Sequence, residues 1–527
     1  MRMLISIVLF CVTTLSANAH DNPFAVKPDP AEPVTYNNPV IPGFYSDPSV
    51  CRVGDDYYLV TSTFEYFPGV PVFHSKDLVN WQQIGHCIDR PEQLPMGLNI
   101  FACTIRYHDG TFYMITTNTG KGGNFYVTAS DPEGPWSDPI WVDVPGIDPD
   151  LFFDDDGKTY FISSEFEVYR IDLKTGKMLS EGRKVWWGTG GRYAEGPHIY
   201  KKDGYYYLMA AEGGTEEAHC ETIARSNTIW GPYTENPANP ILAHANAAGQ
   251  RKRIQGVGHA DIIQAHDGSW WMVFHGYQKV VDYPFHHILG RQTCLAPVTW
   301  PKNGWPVVNG NGTASVNMTC PTLDLKPFAK KPARTEFDDD KLGLEWNFIQ
   351  APEKDEPFCK VDKGVLELKC LPGRIGENGT AAFVGRRLQD HNFTASTTMD
   401  FVPENDGEQA GMTLLNFNEH FDLLVKRSGS KRVCCVRLGF GSVVYESDQV
   451  ELKPGPVDLK IQGANRRFVF SCSQGDGFKE IQSVDARYLS TETVGWFTGV
   501  YVGFYATSNG SPSQNKAGFE YFEYAGK

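Results

Sequence analysis

Asp203-Gly204-Tyr205-Tyr206-Tyr207-Leu208 is one of five stretches in which a polar turn precedes a run of aromatic and apolar residues. The others are Gly54-Asp55-Asp56-Tyr57-Tyr58-Leu59-Val60, Asp109-Gly110-Thr111-Phe112-Tyr113-Met114, Asp156-Gly157-Lys158-Thr159-Tyr160-Phe161 and Asp267-Gly268-Ser269-Trp270-Trp271-Met272. The Asp-Gly pair is typical of a hairpin turn, because glycine adopts a positive φ at low cost. Each aromatic run after such a turn predicts a β-strand.

The five stretches recur at intervals that suit a repeated structural unit. Their last aromatic residues lie at positions 58, 113, 160, 207 and 271, which gives spacings of 55, 47, 47 and 64 residues. Units of about fifty residues with several short strands are typical of propeller blades. Residues 30–325 are therefore predicted to form an all-β, five-bladed β-propeller. The absence of long helical periodicity in this region disfavours a βα-barrel.

The repeat stops near residue 320, and a different architecture is expected after it. Residues 326–334, with two prolines and four basic residues, have the composition of a linker. Strands continue beyond it without the blade motif, for example Gly364-Val365-Leu366-Glu367-Leu368-Lys369. This pattern predicts a β-sandwich over residues 335–527.

Composition and charge exclude several classes of protein. The chain has 527 residues, of which 41% are hydrophobic and 21% charged, so it can build a large packed core in more than one domain. The formal net charge of −15 argues against a nucleic-acid partner, because an acidic chain repels phosphate backbones. The 12 Trp, 24 Tyr and 32 Phe suit an all-β core or a sugar-binding cleft.

Residues 1–19 have the features of a secretory signal peptide. A basic start is followed by the apolar run Leu4 to Val12 and by the cleavage motif Ala17-Asn18-Ala19. A lipoprotein signal at Cys11 is a weaker alternative, because small residues do not precede that cysteine. The apolar run is too short to span a bilayer, and no later stretch reaches eighteen apolar residues. We therefore expect a periplasmic or secreted protein without a membrane span.

Cleavage would remove Cys11 and leave 11 of the 12 cysteines. An odd number cannot pair completely, and no Cys-x-x-Cys motif is present to suggest a zinc site. Mostly buried free thiols are the favoured interpretation. One or two disulfides are the alternative in an oxidising compartment.

Three acidic residues each open a predicted blade just before its hairpin: Asp47, Asp148 and Glu195. The innermost strands of a propeller line its axis, so acids at equivalent positions would converge on one site. Such carboxylates suit glycosidic cleavage, in which one donates a proton to the leaving oxygen and another activates water. A third, if ionised, would raise the pKa of the acid. Taken singly, each could instead be an ordinary turn or capping residue.

Residues 37–300 closely resemble glycoside hydrolase family 43. The resembling motifs are Asn38-Pro39-Val40-Ile41-Pro42-Gly43-Phe44-Tyr45-Ser46-Asp47-Pro48-Ser49, Thr61-Ser62-Thr63-Phe64-Glu65-Tyr66-Phe67-Pro68-Gly69-Val70-Pro71, Ile147-Asp148-Pro149-Asp150-Leu151-Phe152, Glu195-Gly196-Pro197-His198, Gly256-Val257-Gly258-His259-Ala260-Asp261 and Leu289-Gly290-Arg291-Gln292-Thr293. The tail, through Trp496-Phe497-Thr498-Gly499-Val500-Tyr501-Val502-Gly503, resembles the concanavalin-like β-sandwich of the family's β-xylosidases and arabinofuranosidases.

The resemblance implies an inverting hydrolase with a catalytic role for each acid. Asp47 matches the general base, Glu195 the general acid, and Asp148 the residue that modulates the pKa of the acid and orients it. Asp150 competes for the third role, because alternation along a strand would put it on the same side as Asp148. The family match favours Asp148.

The resemblance also implies binding residues. His259 matches a histidine on the propeller axis near a calcium ion or its waters, and calcium accepts many oxygen ligands. Arg291 matches an arginine that hydrogen-bonds the sugar, and Phe64 an aromatic residue of the deepest subsite. The plain alternatives are a core histidine, a salt bridge at a strand end and a core phenylalanine. No organic cofactor is expected.

One motif departs from the family pattern. Phe101-Ala102-Cys103 stands where many members have Trp-Ala-Pro, whose tryptophan walls the sugar pocket. Phe101 offers less stacking area, so the sugar preference is open. Phe497 matches a residue that reaches the pocket mouth from the sandwich, which favours exo-action on chain ends or side branches.

The favoured function is release of terminal α-L-arabinofuranosyl residues from a hemicellulose such as arabinoxylan or arabinosylated xyloglucan. A β-xylosidase or a bifunctional xylosidase/arabinofuranosidase is the alternative. A non-catalytic sugar-binding propeller would not need all three acids. A sialidase-like propeller is disfavoured, because the Ser-x-Asp-x-Gly-x-Thr-Trp motif is absent.

Overall fold

The five repeats form five separate antiparallel sheets in the computed structural model, which describes residues 34–282, 285–302, 304–320, 322–354, 356–377, 380–464 and 466–527. The predicted signal peptide lies outside these residues. Each repeat supplies the turn between the first two strands of its sheet, so the all-β, five-bladed prediction is confirmed. The sheets are called blades 1 to 5 in chain order.

The blade strands have the following bounds. Blade 1 contains Ser49–Val53, Asp56–Val60, Gly69–Ser75 and Gln82–Ile88; blade 2 contains Ile100–His108, Thr111–Asn118, Gly123–Ala129 and Ile140–Val142; blade 3 contains Asp150–Phe153, Thr159–Ile162, Glu167–Asp172, Lys177–Met178 and Arg183–Lys184; blade 4 contains Glu195–Lys202, Tyr205–Glu212, Cys220–Ser226, Thr234–Glu235 and Leu242–Ala243; blade 5 contains Ile254–Gln264, Trp270–Gln278, Gln292–Thr299 and Val307–Val308. Two further strand pairs are Val34–Asn37 with Asn317–Cys320 and Val281–Asp282 with Phe285–His286.

The blade 4 hairpin illustrates why the repeated motif forms this structure. Asp203 and Gly204 have φ angles of 49° and 80°, so both lie in the left-handed region. A two-residue turn with two positive φ angles matches the twist of antiparallel strands. Behind the turn, Tyr207 is buried and its ring lies 5.1 Å from that of Trp300, which lies between the last two strands of blade 5. The turn thus closes the hairpin, and the aromatic run packs against the neighbouring blade.

The first strands of all five blades meet at the guanidinium of Arg106, which blade 2 contributes. It donates to Asp150 of blade 3 at 2.9 Å and to Asp261 of blade 5 at 2.7 Å. It also lies 3.3 Å from Oγ of Ser49 in blade 1 and 3.0 Å from Nδ1 of His198 in blade 4. One largely buried cation therefore connects the innermost strands around the axis.

The C-terminal region forms two nine-stranded sheets that enclose a large apolar core. The first sheet contains Arg334–Glu336, Cys359–Asp362, Val365–Lys369, Phe393–Asp400, Val457–Ala464, Arg467–Ser473, Lys479–Asp485, Lys516–Phe519 and Tyr521–Gly526; the second contains Tyr66–Phe67, Asn347–Ile349, Ala382–Arg387, Gln409–Asn416, Glu419–Ser428, Lys431–Phe440, Val443–Glu446, Val450–Glu451 and Tyr501–Thr507. The described helices are short: the 3₁₀ turns Pro91–Gln93 and Ala486–Leu489, and the α-helix Thr491–Val494. Arg334, assigned to the linker from sequence, already pairs with Glu523 in this sandwich.

One strand of the propeller chain belongs to the sandwich. Tyr66–Phe67 branches off within blade 1 and pairs with Asn347–Ile349 at the end of the second sheet. The ring of Tyr66 stacks 4.0 Å from that of Tyr501. Phe64 belongs to the same buried cluster. The two domains therefore share both a sheet and a core.

The shared sheet predicts that the propeller does not fold well alone. Truncation after Leu325 would remove the partners of Tyr66–Phe67 and expose its aromatic rings, each worth about 1.5–3 kcal/mol when buried. We expect fragment 20–325 to be insoluble, or soluble with weak activity, in comparison with full-length mature protein assayed in parallel. A soluble fragment with full kcat/KM on short oligosaccharides would contradict this expectation.

Candidate active site

A pocket of about 360 Å³ opens at one end of the propeller axis, and all five blades and the sandwich contribute to its wall. It contains every site residue predicted from sequence. The lining residues are Asp47, Phe64, Phe101, Ala102, Ile147, Asp148, Tyr193, Glu195, Gly214, Thr215, Glu216, His259, Arg291 and Phe497.

Unusual backbone conformations direct several of these side chains. Five lining residues have φ angles between 49° and 54°, in the left-handed region that non-glycine residues seldom adopt. They are Asp47, Phe64, Asp148, Tyr193 and His259. Such conformations cost about 1–3 kcal/mol each and concentrate at functional sites. Asp47 and Asp148 adopt them just before the first strands of blades 1 and 3 begin.

Asp47 is held as an anion by a set of donors. Its Oδ1 accepts from Nη1 of Arg291 at 2.6 Å, and its Oδ2 accepts from the hydroxyls of Ser62 at 2.5 Å and Ser46 at 3.0 Å. Burial by itself would raise the pKa of Asp47, but the guanidinium of Arg291 and the imidazoles of His259 and His275 hold it well below the usual value. An ionised, fixed carboxylate suits a general base.

Glu195 has the opposite electrostatic environment. It begins the first strand of blade 4, and 17% of its side chain is exposed to the pocket. Burial and the negative charge of Asp47 raise the pKa of Glu195 to about 7. A carboxylic acid that keeps its proton near neutral pH suits a general acid.

Asp148, and not Asp150, faces the pocket. Asp148 accepts a hydrogen bond from the backbone N–H of Gly196, next to Glu195, at 3.2 Å. Burial, then the charges of Glu195 and Asp47, raise the pKa of Asp148 well above its usual value. Asp150 is fully buried between Arg106 and His198. The left-handed φ of Asp148 breaks the strand alternation that made the two aspartates equivalent in the sequence.

The predicted source of the raised pKa of Glu195 therefore changes. The sequence assigned it to the charge of Asp148, whereas in the structure burial and then the charge of Asp47 raise it. Asp148 itself retains a proton readily, and its contact with Gly196 suits a role in orienting the start of the Glu195 strand.

Three phenylalanines form the apolar wall. The ring of Phe64 lies 5.1 Å from that of Phe101 and stacks 5.7 Å from that of Phe497, which comes from the sandwich. The guanidinium of Arg291 lies 5.8 Å from the ring of Phe64. Cys103, in the altered Trp-Ala-Pro motif, is buried in the core between blades 1 and 2 and does not line the pocket.

His259 lies on the axis, with its Nδ1 3.6 Å from Oδ1 of Asp47 and without a hydrogen-bond partner. With His275, these residues form a cluster of three groups that could ligate a metal. The donor set does not fit direct calcium coordination, because it offers one carboxylate, and Arg291 already occupies that carboxylate. Deeper in the axis, Arg106 neutralises Asp150 and Asp261. A calcium ion held through waters stays a prediction from sequence.

Several residues around the acids were missed by sequence reasoning. His275 lies 2.9 Å from Oδ1 of Asp47, and His219 lies 4.0 Å from Glu195. Both are fully buried, His275 within a strand of blade 5 and His219 directly before a strand of blade 4. The sequence offered one signal for them: His275 is a polar residue directly after the apolar run Trp271-Met272-Val273-Phe274. Tyr193 and Glu216 lie in blade 4 loops that carry no motif.

The eleven cysteines of the described residues are all free thiols, and nine of them are buried. This arrangement matches the favoured interpretation of the cysteine count, and none of the eleven lines the pocket.

Comparisons with known proteins agree with the geometry. Residues 36–306 match the family described as Glycosyl hydrolases family 43, and residues 334–525 match the Beta xylosidase C-terminal Concanavalin A-like domain. The Non-reducing end alpha-L-arabinofuranosidase BoGH43B of Bacteroides ovatus is 43% identical over 505 residues, covering 93% of this chain and 94% of the relative. The Xylosidase/arabinosidase of Butyrivibrio fibrisolvens is 38% identical over 518 residues, covering 93% and 99%. The solved structure of Bacteroides ovatus Xyloglucan PUL GH43B has a TM-score of 0.90 and 42% identity, covering 94% and 100%.

The opposite pKa shifts predict different behaviour of two variants. Glu195→Gln should lower kcat/KM by about 10²–10⁴-fold on oligosaccharides. The same variant should lower kcat/KM far less on a dinitrophenyl glycoside, because that leaving group needs no proton. Asp47→Asn should lower kcat/KM severely on both substrates. In the wild type, activity should fall as the pH rises through about 7, because Glu195 then loses its proton. Equal losses for Glu195→Gln on both substrates would remove the acid role.

Asp148 and Asp150 provide a matched pair of variants. Asp148→Asn should lower kcat severely with an unchanged or higher Tm, because it removes a carboxyl crowded by two others. Asp150→Asn should lower Tm, because losing one partner of a buried ion pair costs about 3–5 kcal/mol. An inactive Asp150→Asn protein with normal Tm, beside an active Asp148→Asn protein, would reverse the assignment.

Proposed function

The chain belongs to glycosyl hydrolase family 43, and we propose that it is an inverting, exo-acting enzyme that releases terminal α-L-arabinofuranosyl residues. It is thus a glycosidase, and its substrates are oligosaccharides. The substrate we propose is an arabinosylated hemicellulose, either arabinoxylan or xyloglucan, or an oligosaccharide derived from it.

The observation that carries the proposal is the pairing of carboxyls with opposite proton affinities in one pocket. Asp47, as the anion, takes a proton from water while that water attacks the anomeric carbon. Glu195 gives its proton to the departing glycosidic oxygen. Water is thus added across the broken bond, and inversion follows if the two carboxyls act from opposite faces of the sugar.

The shape of the pocket supports exo-action. A volume of about 360 Å³ is at the lower end of the range for small-molecule sites, which suits one sugar ring and the first part of its leaving group. Phe64, Phe101 and Phe497 give the ring an apolar wall, and Arg291 provides a cation beside it. The sandwich contributes Phe497 and thereby limits the length of chain that can enter.

The sugar assignment rests on the relatives and on the altered wall. The relative from Bacteroides ovatus bears the name of an arabinofuranosidase, and the similar solved structure is titled with xyloglucan. β-Xylosidase or dual activity is the second candidate, because the relative from Butyrivibrio fibrisolvens is called a xylosidase/arabinosidase. Phe101, which stands in place of the family's tryptophan, favours the arabinofuranosidase.

Export is part of the proposal. Residues 1–19 carry the signal-peptide pattern, and within the described ranges no helix has the length and apolar character needed to cross a bilayer. We expect the exported protein to begin at His20, which N-terminal sequencing of the periplasmic or secreted fraction would test.

The sugar preference can be tested with two chromogenic substrates. The purified chain should hydrolyse p-nitrophenyl α-L-arabinofuranoside with a higher kcat/KM than p-nitrophenyl β-D-xyloside. Each substrate should inhibit hydrolysis of the other competitively, because both would use the same pocket. Asp47→Asn is the control and should lose both activities. Preference for the xyloside would favour the second candidate, and no activity on any glycoside would refute the proposed function.

A further inference from the structure

A second cavity, of about 230 Å³, lies between blade 5 and the sandwich and shares no lining residue with the active-site pocket. Half of its described lining residues are basic, and none is acidic. The basic ones are Arg253, Lys279, His391, Arg466 and Arg467, and the cavity they line is called the cationic cleft. The chain as a whole has a net charge of −15, so this local excess of positive charge runs against its overall composition.

Each domain supplies its cations from the end of a pair of strands. Arg253 and Lys279 flank the paired ends of the first two strands of blade 5. In the sandwich, Arg466 lies in the turn before the strand that Arg467 begins. His391 leads into the strand that pairs with this hairpin. The fold therefore brings two basic hairpin ends together across the domain interface.

These cations are poorly neutralised by the protein itself. Among the described residues, Arg253, Lys279 and Arg466 form no ion pair with an aspartate or glutamate. Arg467 donates to the hydroxyl and the backbone carbonyl of Ser483, at 2.7 Å and 2.8 Å. The acid opposite Arg467 in the sheet, Asp485, is itself paired with another arginine at 2.7 Å. Like charges held close together repel, and a bound anion would relieve that repulsion.

His391 responds to the positive field of the cleft. Burial, and then the charge of Arg253, lower the pKa of its imidazole to about 4. Nε2 of His391 is shielded from solvent and has no hydrogen-bond partner within the described ranges. The field that disfavours a proton on this ring would attract an anion.

We propose that the cationic cleft binds a small oxyanion between the two domains, either the carboxylate of a sugar acid or inorganic phosphate. Guanidinium groups suit both, because they can donate two parallel hydrogen bonds to a carboxylate or a phosphate. The apolar side chains of Val280, Ile288 and Phe468 complete the lining and suit the carbon skeleton of a sugar acid. The cleft is smaller than the range of about 300–1,000 Å³ for drug-sized ligands, which limits it to one such group.

The test measures binding to the full mature chain by isothermal titration calorimetry, with sodium glucuronate and sodium phosphate as probes. Sodium chloride keeps the ionic strength constant, because salt screens exposed charges. Glucose is the uncharged control ligand. The test variants are Arg253→Gln from the propeller and Arg466→Asn from the sandwich, since asparagine tolerates the left-handed φ of 64° at position 466. Arg251→Gln is the matched control, because Arg251 is exposed on the same loop as Arg253 and does not line the cleft.

We expect at least one of the two anions to bind, and glucose not to bind. Arg253→Gln and Arg466→Asn should each weaken anion binding at least about tenfold, because each removes a charged hydrogen-bond donor. Arg251→Gln should change the Kd by less than about twofold. The lower of the two Kd values identifies the source of the oxyanion as a sugar acid or as an inorganic ion.

Thermal unfolding provides a second measurement that a general salt effect would not reproduce. A saturating anion should raise the Tm of the wild type by at least about 2 °C, because it binds the folded chain at the domain interface. In anion-free buffer, Arg253→Gln should unfold at the same or a higher temperature, because it removes one of several repelling charges. Binding of neither anion, equal binding of glucose, or the same loss of affinity in Arg251→Gln would overturn the proposal. No hydrolysis is measured, so the proposed function stands or falls separately.

Discussion

The largely buried guanidinium of Arg106 forms the interactions on which the propeller axis depends. It bonds or contacts the first strand of each other blade, through Ser49, Asp150, His198 and Asp261. A buried charge is costly unless it is paired and hydrogen-bonded, so the strands are constrained to converge on this one group. The pocket carboxyls Asp47, Asp148 and Glu195 lie at the start of three of these strands. Their close approach is thus a consequence of how the axis is packed.

The placement of the two central arginines separates the roles of the carboxyls. Arg106 neutralises Asp150 and Asp261, and Arg291 neutralises Asp47. Asp148 and Glu195 have no ion pair with a lysine or arginine among the described residues, so burial and the nearby negative charge keep them protonated. One local network thus gives two carboxyls of the same pocket opposite proton affinities, as the proposed base and acid require.

The repeats were sufficient to predict the five blades, because each turn motif acts locally on the hairpin that follows it. The converging acids could be predicted for the same reason, since each occupies the same position relative to its turn. The distinction between Asp148 and Asp150 could not be predicted, because it depends on the left-handed φ angle of Asp148. His275, His219 and Arg106 were also missed. Each is a single polar residue within or directly before an ordinary strand, and its partners come from other blades that only the folded chain brings together.

The sandwich affects the chemistry through Arg291 as well as through the pocket wall. Nη1 of Arg291 binds Asp47, and Nη2 lies 3.5 Å from the backbone carbonyl of Phe497. The cation that keeps the base ionised is therefore held between the propeller and the sandwich. The shared strand Tyr66–Phe67 fixes the sandwich on the side where Phe64 enters the pocket. Because the same docking positions Phe497, closes the pocket and supports Arg291, the limit on substrate length and the proton affinity of Asp47 are set by one interface.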